Sequence, residues 1–249
     1  MNSGRKTKFG IGGNASFETT HWTVVLNAAR NGSSDNLVAL QQLCGIYWYP
    51  IFVFIRRKGH GQHDAEDLTQ MFFAHVLSKG ALEKVDQTKG RFRNFLLASV
   101  SNFLSNERDK AATKKRGGAH RVVAFDDCSA EELYRHEPVE RFTPERLFER
   151  RWALVLMERV MCKLHGEHSS NGKLKVYEQL QPFLTAEADA VALARSAECL
   201  GVEAAALKVA VHRLRRRYGM LLRNEIAQTV SSSDEVEAEI RNLMSVIAE

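Results

Sequence analysis

Apolar residues recur at intervals of three and four along nearly the whole of this 249-residue chain, and only four prolines interrupt it. That is the period of an α-helix with one buried face, whereas a half-buried strand would alternate. One short run, Arg121 to Phe125, has a weak strand-like character, and no internal repeat is visible. The expected fold class is therefore all-α. The length suffices for one or two domains with cores of their own.

Lysine and arginine number 35 against 30 acids, a net charge of +5. This permits a polyanionic partner without demanding one. Cys44, Cys128, Cys162 and Cys199 form no CxxC pair and adjoin no histidine cluster. Reduced thiols are expected in place of a zinc site or a disulfide framework. No run approaches the roughly 18 apolar residues of a membrane span, so no membrane insertion is expected. Met1 to Ser16 is rich in glycine, lysine and asparagine and lacks the apolar centre of a signal peptide. It reads as a loose tail of a cytoplasmic protein. No glycine-rich phosphate loop, HExxH or triad is present. Asp64, Glu66 and Asp67 make a poor magnesium site, because Glu66 points about 100° away from Asp67 on a helix. An enzyme is not expected, and no cofactor or metal.

The charge is arranged in blocks. A helical block from Thr20 to Lys115 ends in the basic stretch Lys114-Lys115-Arg116-Gly117-Gly118. Phe125 to Arg150 then holds eight acids against four arginines, and with Pro138 it reads as a linker. Thr143-Pro144-Glu145 is a helix start: a hydroxyl to cap, proline at the first position, and an acid at the positive helix end. This helix is expected to reach about Leu164 and to stop within Gly166 to Gly172. A shorter helix, Leu174 to Phe183, follows, then two helices around Gly201 between Asp189 and Gln228. The acidic tail from Ser231 is expected as a solvated helix.

The sharpest local pattern is Ala197 and Gly201 with Leu200, Val202, Leu207 and Ala210 around them. A helix-turn-helix needs a small residue where its helices cross and a glycine in the turn. The second helix puts Leu207, Ala210, Val211, Leu214 and Tyr218 on one stripe. Ala205, Lys208, Val209, His212, Arg213 and Arg216 fall elsewhere. From Ala204 to Asn224 there are six bases and no acid. Small and apolar residues near the helix start suit base edges and thymine methyls, and arginines further along suit phosphates.

Two further faces stand out. The helix begun by Asp64 as cap turns Leu68, Met71, Phe72, His75 and Val76 inward. Its other side carries Glu66, Gln70, Phe73 and Leu77, which is either a protein-binding surface or a helix buried on both sides. The next helix, from Arg91 to about Lys110, turns Phe92, Phe95, Leu96, Ser99 and Phe103 inward. Outward are Asn94, Ala98, Ser101, Ser105 and Arg108, with Asn102 at the edge. That face is either a plain solvated one or suited to single-stranded DNA, whose bases need polar contacts and whose backbone needs cations.

These residues resemble those of a known family. Asp64-Ala65-Glu66-Asp67-Leu68-Thr69-Gln70 is similar to the signature in the second domain of bacterial sigma factors. Gly90-Arg91-Phe92-Arg93-Asn94-Phe95-Leu96, with Asn102 beyond, looks like the promoter-melting helix of that domain. Leu200-Gly201 through Arg217 looks like the fourth domain with its helix-turn-helix. From Thr20 to Gln228 the chain resembles the extracytoplasmic-function branch of the sigma-70 superfamily, and Thr143 to Trp152 is similar to a run in members with a long linker. Three departures mark this chain: Phe95 where tryptophan is frequent, Glu203 in place of a short capping residue, and Ala205 in place of glycine.

The resemblance implies a specificity subunit of RNA polymerase. Asp64, Glu66, Asp67, Gln70, Phe73 and Leu77 would bind core RNA polymerase. Asn94, Ser101, Asn102, Ser105, Arg108 and Lys110 would hold the minus-ten element as a single strand. Ala205, Lys208, Val209, His212, Arg213 and Arg216 would read the minus-thirty-five element of promoter DNA as duplex. It also admits an anti-sigma factor as partner. The layout it implies is a flexible tail at 1–16, a region-2-like domain at 17–118, a linker with helices at 119–184, a region-4-like helix-turn-helix domain at 185–230 and an acidic tail at 231–249. The alternative is a stand-alone helix-turn-helix regulator, in which Asp64 to Leu77 would form a dimer core.

Overall fold

The computed structural model describes residues 34–78, 91–113, 128–184, 189–230 and 232–249. The N-terminal tail, the strand-like run at Arg121 to Phe125 and the basic stretch Lys114 to Gly118 lie outside them. Among the described residues there are nine α-helices, two short 3-10 turns and no strand, so the fold is all-α. We number them α1 Ser34–Arg57, α2 Gln62–Ser78, α3 Phe92–Thr113, α4 Cys128–Arg135, α5 Pro144–Ser170, α6 Leu174–Leu180, α7 Ala190–Leu200, α8 Ala204–Ala227 and α9 Val236–Ala248.

Helix α1 runs through Pro50, although an interior proline costs a helix about 3 kcal/mol or more. The offset lies in the next five residues. Ile51, Phe52, Val53, Phe54 and Ile55 are all fully buried, and a helix apolar on every side is stable only when covered on every side. Gly59, at φ +99°, makes the turn into α2. Helix α2 begins at Gln62, with the Ala65 amide bonded to the Gly61 carbonyl at 2.9 Å. Asp64 therefore lies within the first turn and is not the cap. It still meets the positive end of the helix there.

The cover for α1 comes mainly from α5. Thr143 caps α5 as expected, its hydroxyl accepting from the Arg146 amide at 3.2 Å, with proline in the first turn. Phe148, Trp152, Leu156, Val160 and Leu164 recur every four residues and are buried, with Leu147 and Ala153 beside them. This ridge packs on α1, and further contacts of α5 are made by α8 and α9. The helix passes Leu164 and ends at Ser170, with Gly172 at φ +66° beyond it. The segment expected as a linker thus holds the central helix. The described helices share one hydrophobic cluster running from Leu43 to Leu243.

Four buried carboxylates tie the helices together, each to at least one cation. Glu131 receives Arg56 through two bonds, at 2.9 and 2.8 Å. Glu137 accepts the Tyr49 hydroxyl at 3.0 Å and pairs with Arg151. Glu225 pairs with Lys163 and lies 3.8 Å from Arg159. Glu239 pairs with Arg91 at 2.9 Å and with Arg93, whose guanidinium lies 4.6 Å above the Trp152 ring. The acidic tail is accordingly not a solvated helix: Glu239 is 0% exposed, and Val236, Leu243 and Val246 are buried. Acids that face arginines across a helix interface can be buried, because the partner replaces water.

The thiols of Cys44, Cys162 and Cys199 are unbridged. Burial pushes the Cys44 thiol up to about 11, which keeps it protonated and inert. Among the described residues no cluster of side chains could hold a metal ion. Truncating Leu156 to alanine is expected to cost about 2–5 kcal/mol, the price of a cavity in a well-packed core. Urea unfolding checks this: the midpoint should fall with the slope unchanged.

Candidate nucleic-acid interface

Helix α7 starts at Asp189, whose carboxylate accepts the Val191 amide at 3.2 Å. It ends at Gly201, at φ +64° and ψ +34°. The Val202 amide bonds back to Ala197 and the Gly201 amide to Glu198, at 3.0 and 3.1 Å. This is the Schellman pair of bonds, which needs a left-handed residue and so favours glycine. Ala197 is buried where the helices cross, with Leu193, Leu207, Val211 and Leu214. Glu203 occupies the N-cap of α8 with extended backbone but gives no side-chain bond. The turn therefore rests on Gly201 and on packing.

The cations of α8 sort into two sets. Arg215 donates to the Phe183 carbonyl at 2.8 Å, Arg217 to Glu167 at 2.9 Å, and Arg223 to Glu237 at 2.7 Å. Lys208, Arg213 and Arg216, with His212, are exposed and pair with nothing among the described residues. Ala205 and Val209 are exposed on the same helix, Val209 at 49%. All six residues expected at the duplex contact are thus solvent-facing, and the three arginines left out of that set serve the fold.

On α3, Phe92, Leu96, Val100, Phe103 and Leu104 are buried. Asn94, Ala98, Asn102, Ser105 and Arg108 are exposed, and Ser101 is half-buried. Lys110 pairs with Glu107 at 2.7 Å but stays largely in solvent. Phe95 is half-buried and stacked on Phe92 at 5.9 Å between ring centroids.

The α2 surface departs from expectation in one residue. Asp64 and Asp67 are exposed and Gln70 half-buried, and Glu66 accepts from Gln62 at 3.1 Å. Phe73, expected on an outward face, is only 8% exposed and packs edge-on against Phe72 at 5.8 Å. Phenyl area is too costly to leave wet when neighbouring helices can cover it. The Leu77 side chain lies outside the described residues.

Sequence reasoning missed Arg93, 2% exposed. The signal was its place: Arg93 stands three residues before Leu96 and seven before Val100, so it falls on the buried stripe. No family model, curated protein or solved structure matches this chain. No helix among the described residues is long and apolar enough to cross a membrane.

Replacing Phe73 with Asp is expected to destabilise the fold by about 3 kcal/mol or more, read as a lower urea midpoint; unchanged stability would return Phe73 to the surface. The hydrogen bond from Arg217 holds the Glu167 carboxyl below its usual range. A depressed carboxyl stabilises above its unfolded value and loses that contribution as pH falls. Both side chains are partly exposed, so Glu167→Gln should cost less than about 1 kcal/mol at neutral pH. The gap to wild type should close as the pH drops below the ordinary glutamate value, about 4.3, followed by thermal melts across pH.

Proposed function

We propose that this chain is a sigma factor of the extracytoplasmic-function type, which binds core RNA polymerase and directs it to promoter DNA. In this role α8 enters the major groove of the upstream element. The polar face of α3 holds one strand of the downstream element, and the exposed acids at the start of α2 meet the polymerase. The chain supplies recognition, and the polymerase performs the chemistry.

One observation carries the proposal: the sorting of cations on α8. Lys208, Arg213 and Arg216 are left in water, beside the small and apolar Ala205 and Val209, while the neighbouring arginines are committed to Phe183, Glu167 and Glu237. A solvated basic face would give no reason for that division. A groove-binding helix does, since it needs cations for phosphates and guanines and short apolar groups for thymine methyls. The outer face of α3, polar through Asn94, Ser101, Asn102 and Ser105 with Arg108 beyond them, supports a strand contact of the kind that reads bases by polar groups. The stand-alone regulator is less well supported, because the apolar residues its dimer would use, Phe73 and Val76, are already buried within the chain.

The deciding experiment is reconstitution with core polymerase and run-off transcription from genomic fragments. Sequenced start sites should share two upstream elements. A chain that neither binds core polymerase at micromolar concentration nor starts transcripts ends the proposal. Within the holoenzyme, Arg213→Ala or Arg216→Ala should weaken upstream-duplex binding by about 1–3 kcal/mol if the residue meets a base. If it meets a phosphate, the salt slope should instead be shallower by about 0.9. Arg217→Ala should alter stability and leave the duplex contact intact.

A further inference from the structure

Helix α9 touches three parts of the chain. Val236, Leu243 and Val246 are buried on its inner side, and it packs on α5 and α8. Glu237 pairs with Arg223 of α8 at 2.7 Å. Glu249 pairs with Arg146 of α5 at 3.0 Å. Glu239 reaches Arg91 at 2.9 Å and Arg93, both at the start of α3. An acidic helix is thus held to three others through arginines.

Arg91 has a particular place. It precedes Asn94 by three residues and Ala98 by seven, so it heads the polar stripe that continues through Ser101, Ser105 and Arg108. Two guanidiniums closing on one carboxylate form the same cradle that a phosphate uses. Arg93 also keeps Nε and Nη2 without hydrogen-bond partners, donors that one glutamate does not fill. A nucleic-acid backbone and Glu239 carry the same sign and cannot hold Arg91 together.

We infer that Glu239 is an internal stand-in for a nucleic-acid phosphate: α9 occupies Arg91 and Arg93, and a single strand laid along α3 displaces it. Docking of α9 and strand binding then compete, and the free protein is held in a state of low affinity for the strand. This rests on α3 being the strand-binding helix of the proposed function. It adds a phosphate contact at the head of that helix and a device that masks it.

The test compares the full-length chain with Glu239→Gln and with Glu237→Gln, which breaks an exposed pair on the same helix. The probe is a fluorescein-labelled single-stranded DNA of mixed sequence. Anisotropy over a salt series gives affinity, and hydrogen exchange gives the protection of α9. Glu239→Gln should deprotect α9 and bind the strand about tenfold tighter, a coupling of ordinary size for two competing ligands. Its salt slope should steepen by about 0.7–1.4, the value for one or two added phosphates on a single strand. Glu237→Gln should behave as wild type, and strand added to wild type should deprotect α9.

The inference is overturned if Glu239→Gln leaves α9 protected, or if α9 is released with no gain in affinity. It is equally overturned if saturating strand leaves the wild-type α9 as protected as before. That last measurement needs no variant, so a Glu239→Gln chain that fails to fold does not remove the test. Failure of the underlying function reads differently: wild type would start no transcripts with core polymerase, whatever α9 does.

Discussion

A helix of 27 residues is about 40 Å long, and burying it along most of that length takes more than one neighbour. Helix α5 is such an element. Its ridge of Phe148, Trp152, Leu156, Val160 and Leu164 is matched by α1, with α8 and α9 adding further contacts. The faces used in the proposed function are held by that ridge, directly or at one remove. Helix α2 packs on α1. The first turn of α3 is tied to Trp152 through Arg93, and α8 lies against α5 directly. The proline in α1 survives because α5 helps to cover the residues that follow it.

Charge is distributed by the same logic. Glu131, Glu137, Glu225 and Glu239 are buried where two helices meet, and each is neutralised by arginine or lysine from another part of the chain. Burying such pairs gains little net stability over an apolar contact, but leaving one partner alone is expensive. They therefore act as registration marks: a helix that docks out of place strands a charge. What this sorting leaves over is as informative as what it uses. A mild net charge of +5 becomes locally strong on α8, because its unpaired cations lie on one helix with no acid among them.

The local devices were legible in sequence, and the long-range ones were not. Thr143 as cap, Gly201 as the left-handed turn and the Leu207–Tyr218 stripe all follow from rules that act within a few residues. They appear in the structure where sequence put them. Six residues of α8 were assigned outward by period alone, and all six are exposed. The start of α2 was off by three, because Asp64 is a strong cap signal whereas the backbone bond to Gly61 leaves no mark on side-chain chemistry. Phe73, the acidic tail and Arg93 were misplaced or missed for one shared reason. Whether a phenyl ring or a carboxylate is buried depends on a helix arriving from far along the chain, and composition carries no record of it. Glu239 and Arg93 are separated by 146 positions.

Two demands on this architecture conflict, and α9 lies where they meet. A shared core fixes the separation between α3 and α8, which suits stability. A protein that grips two separated stretches of DNA needs those helices set by the DNA, and a flexible tether is the usual way to allow it. Helix α9 is short, yet it contacts α5 and α8 and pairs with the start of α3. Its anchor there is ionic and faces residues suited to a polyanion, so the contact is one that a polyanion competes for. Apolar packing between α1 and α5 offers no such handle, since nucleic acid cannot substitute for the side chains buried there, Ile51 to Ile55 on α1 and the ridge from Phe148 to Leu164 on α5. In the proposed role the Glu239 seam is one that a polyanion can open, whereas the apolar seam between α1 and α5 is not.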